Sequence, residues 1–168
     1  MTGALSRAFD EVVAAGAGEV VADHRFVPIV VLESGARLGL GRPEGASEGL
    51  PQPSWLLVTG ATVQAFAAGR ERHFVELLEW SRSIFDDTVE RAAAARGLPA
   101  EEVLFSFPAV ELVRAMLQSG SAHYCRVALS WLRASELRAL RGEIVAVSGD
   151  TTLPTAVREL AVRLTVPL

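Results

Sequence analysis

The chain contains neither lysine nor asparagine, so all sixteen of its basic residues are arginine. That bias is expected where codons are pushed toward G and C, and it points to a GC-rich, bacterial host more than to any activity. A single cysteine, Cys125, excludes an intrachain disulfide framework and suits a reducing compartment. The arginines are scattered and the net charge is −4, which argues against the concentrated positive face that nucleic-acid binding requires. Long apolar runs are missing as well. No stretch approaches the ~20 apolar residues of a membrane span, and Arg7, Asp10 and Glu11 break up the apolar core that a secretion signal would need at the start. Cytoplasm is the expected location, with neither membrane nor nucleic acid as partner.

Half of the residues are hydrophobic, and the mean hydropathy is +0.30. A chain of 168 residues reads as one domain able to bury about two thirds of its unfolded surface. So much apolar content predicts either a core rich in alanine and valine or a surface covered by another chain.

Leu5, Ala8, Phe9, Val12 and Val13 form one face of a first helix, which Gly16 and Gly18 end. Residues 26–32 then read as a strand, turning at Ser34 and Gly35 into a second strand carrying Leu38 and Leu40, with Pro28 at an edge or bulge. Residues 41–54, with three prolines and three glycines, read as a mobile loop, and residues 55–59 as a third strand. From 62 to 96 apolar residues keep three/four spacing with no proline, including Val63, Phe66, Phe74, Leu77, Leu78, Phe85, Val89 and Ala92. This predicts a long central helix entered through Gly60, either continuous or broken near residues 83–87.

Beyond Gly97, Pro99 and Pro108 open short helices, Ser121 and Ser135 are candidate caps, and Pro154 begins a last amphipathic helix. The expected fold is α+β and predominantly α-helical. A small N-terminal antiparallel sheet, hairpin plus one strand, packs on the long helix, followed by a C-terminal bundle of short antiparallel helices. Residues 1–60 form the strand-rich part and 61–168 the helical part.

Two stretches carry resemblances. Ala122-His123-Tyr124-Cys125-Arg126-Val127-Ala128-Leu129-Ser130-Trp131-Leu132, with Pro154-Thr155-Ala156-Val157-Arg158-Glu159-Leu160-Ala161, resembles the helices of HEAT-type repeats, which implies protein binding, although no second copy follows at the ~40-residue period of a solenoid. Leu56-Leu57-Val58-Thr59-Gly60-Ala61-Thr62 resembles the nucleotide-site opening of short-chain dehydrogenases. Val63, Gln64, Ala65 and Phe66 stand where that family places further glycines, so a plain strand-to-helix turn is favoured and no cofactor is expected.

Candidate chemistry is sparse. His73 and Glu76 share a helical face but lack matching ligands elsewhere, so no metal site is expected. Ser119, Ser121, His123 and Cys125 lie close together without the Gly-x-Ser-x-Gly elbow, and no catalytic residue is assigned. Phe74, Phe85, Phe105, Phe107, Trp55 and Trp131 are expected in the core. Trp80 falls off the stripe, with Arg82 and Asp86 beside it, and is the candidate interface anchor. The leading expectation is a non-catalytic module that binds another protein or a second copy of itself through a helical surface. One alternative is an immunity- or antitoxin-type protein neutralising a partner; another is a small enzyme or ligand-binding domain with residues 41–54 as lid over Thr59, Thr62, His24 and His73.

Overall fold

In the computed structural model, residues 3–45 and 52–165 are described; they hold seven α-helices and one five-stranded antiparallel sheet, and the chain is α+β. It divides into two compact units, one formed by Met1–His73 and Ser83–Phe107, the other by Phe74–Arg82 and Pro108–Leu168.

The first unit begins with α1 (Gly3–Ala14), whose buried Leu5, Phe9 and Val12 follow helical spacing and whose axis runs beside the second strand. Gly16, at φ 80°, takes the left-handed position beyond the helix. Its amide bonds the Val13 carbonyl while that of Ala17 reaches Val12, so the last carbonyls are capped. The sheet runs in chain order: β1 (Glu19–Val21), β2 (His24–Val31), β3 (Arg37–Pro43), β4 (Ser54–Thr59) and β5 (Thr62–Ala65). Ala22 and Asp23 both have positive φ and make the two-residue turn between β1 and β2, as the right-handed twist of a hairpin demands. Pro28 sits at a bulge on β2, as expected from its missing amide hydrogen.

Two glycines let this sheet curl. A Cβ on Gly39 would lie 2.1 Å from the Val27 carbonyl oxygen and 2.8 Å from the Phe26 ring, and one on Gly41 would lie 2.2 Å from Leu56. With both absent, Phe26 fills the inner face beside Leu56 and Val58, and side chains of both outer strands, Val21 and Val63, reach the same cluster. Arg37 lies over the Phe26 ring and pairs with Glu19 of β1. On the opposite face Val27, Leu40 and Trp55 stand across from one another and are buried. Trp55 meets Phe107 edge-on at 5.1 Å between centroids, and Phe107 meets Phe85 of α2 (Arg82–Ala95) at 4.8 Å. Arg42, on β3, donates to Asp10 Oδ1 at 2.9 Å and Ser6 Oγ at 2.6 Å, with its guanidinium over Phe9, and so ties α1 to the sheet. The unit closes with α3 (Ala100–Ser106), which Pro99 opens.

The central stretch departs from its sequence pattern. Residues 62–65 are a strand, Glu71–Glu79 is a 3₁₀ helix, and only α2 is α-helical, so the long central helix expected over 62–96 is corrected to three elements, and the three-stranded sheet to five. Gly60, at φ 59°, is the first central residue of a β4–β5 hairpin with Thr59 paired to Thr62. Glycine in that position of a two-residue turn reverses the chain, which neither a strand-to-helix passage nor a dinucleotide site allows. Of the loop expected at 41–54, residues 41–43 belong to β3 and Ser54 to β4, while 46–51 lie outside the described residues.

The second unit packs α4 (Ala109–Leu117), α5 (Ala122–Trp131), α6 (Arg141–Gly149) and α7 (Thr155–Thr165) with Phe74, Leu77 and Leu78 of the 3₁₀ helix, all three buried. Ser121 caps α5 by accepting from the Tyr124 amide at 3.4 Å. Ser135 caps nothing: residues 134–140 form turns, and α6 starts at Arg141. The cause is Glu136, drawn inward to accept both Arg82 Nη atoms, at 2.9 and 3.3 Å, and the Arg133 amide at 3.0 Å.

Candidate interaction surface

The residues singled out by sequence are engaged in packing. Trp80 is half-buried, and its carbonyl accepts the Trp131 indole N–H at 3.1 Å. Arg82 lies 4.3 Å over the Trp131 ring and pairs with Glu136, both side chains only 12% exposed. Both residues belong to the second unit. Asp86 belongs to the first, on α2, and is 9% exposed. The aromatics expected in the core are buried with one exception, Phe105, which is 93% exposed.

Phe105 is exposed because α3 is only two turns long and its inward register is set by Val103 and Phe107. Those two lie four residues apart and are buried, so the residue midway between them points away. This spacing is the signal by which sequence alone could have marked it. Phe105 lines a groove of 620 Å³ with Leu5, Gln52, Pro53, Glu101, Glu102 and Ser106. Polar groups along the floor are already engaged: Ser106 Oγ accepts the Trp55 indole N–H at 3.0 Å and donates to the Val103 carbonyl, and Glu102 Oε2 accepts the Leu5 amide at 3.0 Å. That last bond supplies the first turn of α1 with an acceptor, since α1 has no acidic residue there. What the groove presents is thus apolar surface with two carboxylates at its side.

A second groove, of 440 Å³, lies between α4 and α6 and is lined by Leu117, Gly142, Glu143 and Asp150 among others. Its carboxylates are committed. Glu143 accepts from Arg114 Nε at 2.8 Å, and the Thr152 hydroxyl and amide bind Asp150 and hold its carboxyl below the usual range.

The remaining candidates do not assemble into chemistry. His73 is exposed, and no group of three or more metal-ligating side chains exists among the described residues. His123 Nε2 pairs with Glu79 Oε1 at 2.7 Å on a half-exposed surface. The Cys125 thiol donates to the Leu117 and Met116 carbonyls, and burial, with the Asp150 charge second, pushes it above its ordinary value, the reverse of what a nucleophile needs. Thr59 and Thr62 flank the hairpin turn, while the His24 ring bonds the Ala22 carbonyl within its own turn. No helix among the described residues is long and apolar enough to cross a membrane. The chain matches no family model, no curated protein and no solved structure. The HEAT-like wording of α5 and α7 accordingly rests on those two helices alone.

Proposed function

We propose that this chain is a non-catalytic, cytoplasmic protein-interaction module that binds a partner protein or a second copy of itself through a helical surface. One observation carries the reading: Phe105, almost wholly exposed on α3, stands at the side of an apolar groove in a chain with high apolar content. A phenylalanine held in water forgoes about 2 kcal/mol of burial, and exposed aromatics of this kind anchor interfaces. The reading places the surface on α3 in preference to Trp80, which is half-buried and whose carbonyl accepts the Trp131 indole N–H. The test compares wild type, Phe105→Ser and Trp80→Ala by light scattering and by affinity capture from the native host. The reading expects a dimer or a captured protein that Phe105→Ser loses and Trp80→Ala retains. A monomeric wild type with no capture dependent on Phe105 would remove it.

A further inference from the structure

We infer that the Phe105 groove receives a cationic amphipathic segment of a partner protein, with an apolar side chain against Phe105 and Pro53 and an arginine or lysine meeting Glu101. The inference rests on the interaction reading above and adds the chemistry of the occupant.

Charge decides it. The chain carries sixteen arginines, yet none lines this groove; among the described residues its charged groups are Glu101 and Glu102. Glu101 is exposed and makes no ion pair among the described residues, so it is available at the rim. Glu102 spends one oxygen on the Leu5 amide. The net charge of −4 adds an attraction that steers a cation toward this surface.

Other occupants fit less well. A small ligand could be housed in 620 Å³, but small-molecule sites place several convergent polar groups around the cavity, and here Ser106 and Glu102 are bonded within the fold. A second copy docked about a twofold axis at Phe105 would set Glu101 and Glu102 against the same carboxylates of its mate, and such juxtaposition is repulsive. A segment with an apolar face and a positive end satisfies both features at once, in the manner of an amphipathic helix laid in a groove.

The experiment titrates three labelled synthetic peptides into the full chain: an amphipathic helix of leucine and lysine, the same helix with glutamate for lysine, and a plain lysine peptide. Wild type should bind the leucine/lysine helix, weaken about thirty-fold as Phe105→Ser and stay within a few-fold as Phe105→Leu. Glu101→Gln should weaken binding about three-fold at low salt, with the difference fading as salt rises. Amide shifts should centre on Leu5 and residues 101–106. Equal binding of the leucine/lysine helix to wild type and Phe105→Ser overturns the inference, as does equal binding of the glutamate helix or of the plain lysine peptide, or binding of none. If no peptide binds while Phe105→Ser still breaks a dimer or loses a captured partner, the cationic occupant falls and the interaction reading stands. If Phe105→Ser is silent in every assay, both fall.

Discussion

The two units use the same device, an arginine laid over an aromatic ring and held by a carboxylate, with different completeness. In the second unit Arg82 covers Trp131, both Nη atoms reach Glu136, and the Trp131 indole N–H finds the Trp80 carbonyl. In the first, Arg42 covers Phe9, but its partner Asp10 is 58% exposed; its buried Nε finds no acceptor among the described residues, a lack shared by Arg158 Nε of the second unit. Shielding differs accordingly. The second unit buries Phe74 and Trp131 fully and leaves Trp80 and Tyr124 half-buried, whereas the first leaves Phe105 in water beside a groove whose Ser106 and Glu102 are bonded within the fold. The most exposed large apolar side chain among the described residues thus lies in the first unit, and that unit is where recognition is expected.

The largest effect belongs to the sheet of that unit. Gly39→Ala places a methyl group 2.1 Å from a backbone oxygen, which no rotamer can relieve. It should destabilise the chain by ~3 kcal/mol or more and lower the denaturation midpoint in urea. A loss below ~1 kcal/mol would mean that the sheet does not curl on Phe26 as described.

Next comes the contrast between the two arginine pairs. Arg82→Ala strands the Glu136 carboxylate in a shielded place and should destabilise by ~3 kcal/mol, as when one partner of a buried pair is removed. Asp10→Ala removes a half-exposed partner while Ser6 still holds Arg42, so its cost should be ~0.5 to 1 kcal/mol. Chemical denaturation of both variants checks the ranking. Equal losses would remove the difference in shielding on which the comparison stands.

Much of this arrangement was legible in the sequence, and the failures share a cause. Glycines and prolines act locally, so the end of α1 at Gly16, the bulge at Pro28, the breaks at Gly97 and Gly120 and the starts at Pro99, Pro108 and Pro154 fall where their backbone chemistry requires. The last helix was readable because its buried Val157 and Ala161 repeat at helical spacing after a proline. Residues 62–65 were misread because a four-residue strand offers too few positions to separate a period of 2 from one of 3.6, and Gly60 serves turns of several kinds. The packing of Trp80 and Arg82 was not legible for a different reason. Their partners Trp131 and Glu136 lie about fifty residues away in sequence, and no local pattern encodes such a contact. Phe105 was readable from the register of Val103 and Phe107, yet an aromatic in a short helix next to a second aromatic reads first as core.

The smallest expected effect on stability is the sharpest for function. Phe105 is so exposed that its side chain contributes little to the fold, and Phe105→Ser should change the unfolding free energy by less than ~0.5 kcal/mol. Serine forms helix somewhat less readily than alanine or leucine, but α3 is opened by Pro99 and anchored by Val103, so propensity at this site is a minor influence. The same substitution should abolish whatever association the groove supports. A variant that folds like wild type and no longer binds would separate surface from scaffold within the first unit. A variant destabilised by ~2 kcal/mol would instead mean that Phe105 is covered within the folded chain in solution, and the contrast with the sealed Phe74 and Trp131 of the second unit would disappear.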